Sequence, residues 1–329
     1  MVGKTVLILG GGFGGIVCAN TLRKLLPQEH RIVLLTKQNT FYIGATKTWV
    51  MLGERSKQEV TWTLDGLGAR GIEVRVAAIQ AIDAQSKRVQ TDAGEFRGDY
   101  LVIALGADYD FSQVNGLGHA EEFYSMDGAE RLREVLKGFQ GGDVVLLVSR
   151  IPFKCPPAPY EAAFVLHDYL KRRNLLNKTR FSLYTVEGRP MATTGPAIGD
   201  FVMEELSKRE IHYFRQRKVV SVDGERKVIE FEDGGECKYD LLIAIPPHVA
   251  PRCVRASGLT APSGWIPVDP KTLRHELPGV YAIGDVNVVP LPGRFQPDQP
   301  LVLPKAGVFA EAEGRVVAED IVGEILGKP

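Results

Sequence analysis

Two short stretches hold residue types whose spacing could do chemistry. The first is Gly10-Gly-Gly12-Phe13-Gly14-Gly15, directly behind the apolar run Val6-Leu-Ile-Leu9. Gly10, Gly12 and Gly15 make the G-x-G-x-x-G spacing between a strand buried on both faces and a helix expected over Ile16 to Leu26. Gly10 allows the tight turn, Gly12 lets backbone approach a pyrophosphate, and Gly15 lets helix and strand pack closely. The helix N-terminus then offers N–H groups and partial positive charge to phosphates. The second stretch is Phe153-Lys154-Cys155-Pro-Pro-Ala-Pro-Tyr-Glu161. It leads into a helix expected from Tyr160 to Arg173, with Ala163, Leu166, Tyr169 and Leu170 on one face and Pro159 suited to the first turn. Cys155 therefore precedes a helix N-terminus and adjoins Lys154, and both features favour a nucleophilic thiolate. The competing reading is a buried thiol in a rigid proline loop. Glu161 could handle protons, or could simply complement the helix dipole.

The elements that must position these residues read as alternating strands and helices, which argues for parallel sheets. Arg31 to Thr36 is a second buried strand. An acid often ends this strand and binds ribose; here Thr36 and Lys37 stand in its place. The aromatic stretch Asn39 to Gly53, with Phe41, Tyr42 and Trp49, is loop-like and could either cover a cofactor or form satellite core. Strands follow at Ile72–Val76, Ala78–Asp83 and Arg88–Thr91, so Ala78 and Ile79 join the cofactor candidates at a strand start. Tyr100 to Gly106 is another buried strand, whose end is Ala104-Leu105-Gly106.

The pattern then repeats at an offset of about 140 residues, the mark of two related folds in tandem. Val145–Ser149 echoes the first strand, Phe181–Thr185 the second, and Val222 to Ala244 echoes Ile82 to Ala104. The second copy lacks a phosphate loop. Ser149 to Pro159 replaces its glycines with prolines, which remove N–H donors and block close approach. This argues against NAD(P)H as electron donor.

The last third returns to the first fold. Ile266–Asp269 and Val280–Asp285 look like a strand pair. In a flavin site, Asp285 would meet a ribityl hydroxyl and the Gly284 backbone would lie near phosphate; a plain Gly-Asp turn is the alternative. A proline-rich loop, Pro290 to Pro304, leads to Lys305-Ala306-Gly307 and a helix running to about Ile325. That helix N-terminus could stabilise negative charge on a reduced flavin. The expected fold class is thus α/β, two tandem Rossmann-like dinucleotide-binding folds. The expected division is residues 1–112 and 246–329 for the cofactor domain, with 113–245 for the cysteine-bearing domain.

Bulk properties exclude some partners. Lys+Arg and Asp+Glu both number 40 in 329 residues, so charge points to neither nucleic acid nor an anionic membrane surface. No apolar run approaches the roughly 20 residues that span a bilayer. The first strand begins a few residues after Met1, which leaves no room for a leader and makes a cytoplasmic protein the expectation. The four cysteines, Cys18, Cys155, Cys237 and Cys253, have no C-x-x-C spacing, and zinc is not expected.

Together the glycine loop, the Ala104-Leu105-Gly106 and Gly284-Asp285 strand ends and the Lys305-Ala306-Gly307 helix entry resemble the two-dinucleotide-fold flavoprotein disulfide reductases. Within these, Phe153 to Glu161 is similar to the active-site segment of the flavoprotein subunit of flavocytochrome c sulfide dehydrogenase. Ile245-Pro-Pro-His248, Ser257-Gly-Leu-Thr260 and Gly264 to Asp269 resemble that subunit too, and the sulfide:quinone oxidoreductases are close relatives. The resemblance implies FAD held by the first and last segments, and Cys155 near it, forming a persulfide from a small sulfur substrate. Electrons would pass on to a cytochrome or a quinone. It also implies a further segment past the final helix, with a second cysteine and a membrane contact; the sequence in hand ends at Pro329. Cys253 or Cys237 would be the remaining partners for Cys155. Two other readings stay open: an NAD(P)H:acceptor flavoprotein like the type II NADH dehydrogenases, and an FAD-binding partner subunit without catalysis.

Overall fold

Unbroken runs of Val, Ile and Leu form strands covered on both faces, because parallel sheets bury both of their sides. The computed structural model describes residues 3–296 and 299–327. It divides into two compact units, residues 1–41, 62–108 and 249–329 in one and 42–61 and 109–248 in the other.

The first unit is built on a five-stranded parallel sheet. Its strand order is Val280–Ala282, Tyr100–Ile103, Thr5–Leu9, Arg31–Thr36, Glu73–Val76. Alternation sends Val6, Ile8, Ile32, Leu34, Val102 and Tyr281 to one core and Leu7, Leu9, Val33, Leu35, Leu101 and Ile103 to the other. The glycine-loop helix, Phe13–Leu25, packs along the final helix, Gly307–Leu326. Their backbones nearly touch: a Cβ on Gly314 would lie 2.6 Å from the Gly14 carbonyl oxygen. An antiparallel meander, Ile79–Asp83, Arg88–Thr91 and Gly94–Arg97, belongs to the same unit.

The second unit repeats the scheme. Its parallel sheet runs His212–Phe214, Thr179–Thr185, Gly142–Val148, Leu241–Ile245, and its meander is Val219–Asp223, Val228–Phe231 and Glu236–Lys238. Helices Met126–Gly138, Ala158–Arg172 and Pro196–Lys208 accompany the sheet.

Three expectations need correction. The stretch Asn39 to Gly53 is not simply a loop, since Lys47–Leu52 is a helix ended by Gly53 in the left-handed region. Its Val50, Met51 and Leu52 are buried against the Met126–Gly138 helix, so 42–61 groups with the second unit rather than with residues 1–112. Six residues are too few to display a helical period. Ile266–Asp269 and Val280–Asp285 do not pair with each other. Ile266–Pro267 lies beside Asn287–Val288, and Val280–Ala282 lies beside Leu101–Ile103. A two-stranded pair would have left one face of Val280–Ala282 in water, whereas these residues are buried throughout. Both functional helices also begin earlier than periodicity indicated, at Phe13 and Ala158, because glycine and proline turns hide the first helical residues.

Candidate functional site

In the first unit the glycine loop has the strain and the openness of a phosphate cradle. Gly10 adopts φ +114°, and a Cβ there would lie 2.2 Å from the Ala104 carbonyl oxygen. A Cβ on Gly15 would lie 1.9 Å from the Gly10 carbonyl oxygen. Gly12, by contrast, faces open space. It starts the helix with no side-chain cap and no acid in the first turn, so the N–H groups of Phe13, Gly14 and Gly15 point out of the helix end. Phe13 stacks edge-on to Phe41 at 5.0 Å and abuts Gly307, so the N-termini of the first and last helices lie together.

The flanking candidates are mixed. Thr36 is buried, and its hydroxyl donates to the Gln38 carbonyl at 2.9 Å, while Lys37 is exposed. The Ala78 N–H donates to Asp92 at 2.8 Å, and Ile79 packs at the edge of the meander core. Leu105 and Gly106 are half-buried behind Ala104, whose N–H bonds the Leu9 carbonyl at 2.7 Å.

Close by in the same unit, at the N-terminus of the final helix, a charged cluster surrounds Gly284 and Asp285. Lys305 donates to the carbonyl oxygens of Asp285 at 2.6 Å and Asn287 at 3.0 Å. Its ammonium lies 3.5 Å from the centre of the Trp265 ring. Burial lowers its pKa to about 8, against the smaller opposing pull of Asp285 and Glu313. Glu313, buried on the final helix, accepts the Gly284 N–H and, at 3.2 Å, the Asn287 side-chain amide; burial holds its carboxyl above the ordinary range. Ala306 caps this helix in an extended conformation. An open helix end and a half-buried cation beside a second helix end suit a dinucleotide carrying phosphates and an electron-accepting ring, so these residues fit FAD. Sequence reasoning missed Trp265, Asn287 and Glu313. Only Glu313 left a trace, an acid inside the buried stripe of Ala310, Val317 and Ile321.

The second unit presents Cys155. It is half-buried and sits at φ +59°, a left-handed conformation that costs a non-glycine residue about 1–3 kcal/mol. Its carbonyl accepts the Ala158 N–H at 2.8 Å, the first bond of the following helix. Around it lie Tyr124, whose hydroxyl donates to the Lys154 carbonyl at 3.1 Å, and Tyr109, with the Lys154 ammonium 4.7 Å above its ring. His248 packs edge-on to both tyrosines, 5.0 Å from Tyr109 and 5.2 Å from Tyr124. Glu161 lies one turn along the helix at the surface, and partial burial raises its carboxyl above the usual glutamate value. Burial pushes the thiols of Cys18, Cys237 and Cys253 upward. Cys237 packs with Leu147 and Val145, on the sheet face opposite the core that Cys155 joins.

Comparison with known proteins matches residues 4–148 and 160–306 to the model of the family described as pyridine nucleotide-disulphide oxidoreductase. The chain belongs to this family. The match passes over residues 149–159, the loop that carries Cys155. Its relatives include the mitochondrial sulfide:quinone oxidoreductase of Mus musculus, 28% identical over 304 residues, covering 87% of this chain and 66% of that protein. The sulfide-quinone reductase of Aquifex aeolicus is 26% identical over 350 residues, covering 99% of this chain and 78% of that protein. The chain therefore spans about two thirds of the mouse protein's length. The solved structure of the sulfide:quinone oxidoreductase from Aquifex aeolicus superposes with a TM-score of 0.89 over 99% of this chain and 78% of that one, at 24% identity, which shows the shared α/β fold. Among the described residues no helix is long and apolar enough to cross a membrane.

Proposed function

We propose that the protein is an FAD-dependent oxidoreductase that oxidises sulfide or a persulfide through Cys155 and passes electrons to a quinone or a cytochrome. The reading rests above all on Cys155 itself: a non-glycine residue held in left-handed strain, ahead of a helix N-terminus and beside a lysine. Strain of this kind collects at working sites, and both neighbours stabilise a thiolate. The names of the mouse and Aquifex relatives support the substrate class.

When bound, FAD supplies the two-electron sink for sulfur oxidation. The rest falls to the chain. Gly12 and the first turn of the glycine helix would hold the pyrophosphate, and Lys305 with the final helix N-terminus would favour negative charge nearby. At Cys155 the thiolate and hydrosulfide become a cysteine persulfide, one proton and two electrons: a sulfur–sulfur bond forms and a sulfur–hydrogen bond breaks. Glu161, with its raised carboxyl, is the group on hand for that proton. The proline-filled loop at residues 149–159 leaves no cradle for a second dinucleotide, which disfavours NAD(P)H as donor.

The test is an anaerobic sulfide titration of the purified protein. Loss of the oxidised flavin band together with one added sulfur on Cys155 is the expected result. Bleaching by NADH but not by sulfide would overturn the assignment in favour of an NADH dehydrogenase, and a protein inert to both would point to a binding subunit.

A further inference from the structure

Outside the chemistry assigned to Cys155 and Glu161 stands a tyrosine whose hydroxyl reaches the cysteine loop. Tyr124 lies just ahead of the helix Met126–Gly138, is 3% exposed, and has both of its own main-chain groups held. Its N–H donates to the buried Glu122 carboxylate at 2.6 Å, and its carbonyl accepts the Tyr109 hydroxyl at 2.9 Å. Its ring meets those of Phe123 and His248, each at 5.2 Å. From this fixed base the hydroxyl donates to the Lys154 carbonyl at 3.1 Å, thirty residues further along the chain.

We propose that Tyr124 is a positioning residue for the reaction: its hydroxyl pins the peptide plane between Lys154 and Cys155, and so keeps the reacting sulfur in one place. The inference rests on the reading of Cys155 as the reacting sulfur.

The Lys154 carbonyl belongs to the peptide plane whose rotation sets φ of Cys155. Turned over, that plane would bring φ from +59° to about −120°, inside the β region open to every residue, and the strain would be gone. A turned plane also points the carbonyl away from Tyr124 and forfeits the bond, so the hydroxyl favours the strained form. The plane on the other side of Cys155 is held as well, by the Ala158 N–H on the Cys155 carbonyl at 2.8 Å. Phe153, two residues before the cysteine, is buried in the same core as Tyr124. A strained residue persists only where its surroundings over-determine it, and these three anchors do so here. Phenylalanine would fill the same space beside Phe123 and His248. What it could not do is hold the Lys154 carbonyl.

The experiment is the rate of Cys155 alkylation by iodoacetamide in the FAD-loaded protein, read by peptide mass on the high-pH plateau, where the rate reports access rather than charge. Cys237, buried in the same unit, is followed in the same samples. Tyr124→Phe should alkylate Cys155 about three- to tenfold faster, the size of one net hydrogen bond, with Cys237 unchanged. The limiting rate of flavin bleaching by sulfide should fall by a similar factor at an unchanged half-saturating sulfide concentration. Tyr109→Phe removes the bond to the Tyr124 carbonyl and should act in the same direction, more weakly. An unchanged or slower Cys155 rate in Tyr124→Phe overturns the proposal, and so does equal acceleration of Cys155 and Cys237, the mark of general loosening. In a protein that sulfide does bleach, an unchanged limiting rate in Tyr124→Phe overturns it too. If Tyr124→Phe does not fold, wild-type alkylation of Cys155 in Tyr109→Phe is sufficient to overturn it. A wild type that sulfide fails to bleach refutes the function instead, and the alkylation rates still decide whether Tyr124 holds the loop.

Discussion

The Lys305 ammonium sits 3.5 Å from the centre of the Trp265 ring, pinned there by the carbonyls of Asp285 and Asn287. Partial burial in this way lowers the affinity of the lysine for a proton, from the ordinary 10.5 to about 8. Between those values the unfolded chain binds more protons than the folded one, so stability rises with pH across that window. Lys305→Met should flatten the rise. Urea midpoints of the FAD-free protein across the window check this; parallel curves for the two proteins would contradict it.

Glu313 is the acceptor for the Gly284 N–H and the Asn287 amide inside the same cluster. Glu313→Ala leaves the Gly284 N–H unpaired, at about 1–3 kcal/mol, and leaves the Asn287 amide with the Ala282 carbonyl alone. Chemical denaturation should show a loss of that order, with Glu313→Gln milder because its amide oxygen still accepts. FAD retention should weaken in the same order, measured by flavin fluorescence after dialysis.

Gly10→Ala places a methyl group 2.2 Å from a main-chain oxygen at φ +114°. Nothing flexible can yield there, so we expect a loss of at least about 2 kcal/mol in stability and a colourless product. A yellow, fully stable Gly10→Ala protein would mean that the turn is not needed for cofactor binding.

Cys155→Ser should keep the flavin and the fold, since the side chain is half-buried and nearly isosteric. Reduction by sulfide should cease. Stopped-flow absorbance decides: full-rate bleaching in the serine variant removes Cys155 from the chemistry.

The sequence made some of this legible and hid the rest for physical reasons. Glycine spacing, buried strand runs and the echo of Val6–Leu9 in Val145–Val148 are local patterns, and they point to the tandem α/β fold without any knowledge of contacts. Cys155 stood out by its prolines. The helix at Lys47–Leu52 did not, because it is too short to show a period and takes its stability from Met126–Gly138, far along the chain. Trp265, Asn287 and Glu313 converge from three separate segments, and no spacing rule connects them to Lys305.

The near-contact of Gly14 with Gly314 carries a consequence for biosynthesis. The helix that follows the first strand has its neighbour supplied by Gly307–Leu326, which leaves the ribosome long after it, and the strand at Val280–Ala282 is also late. Everything in residues 42–61 and 109–248 emerges earlier, so the cysteine-bearing unit can condense while the other still lacks its closing pieces. A nascent chain stalled before the final helix should therefore protect the middle of the protein from protease and leave the N-terminal strands open to attack.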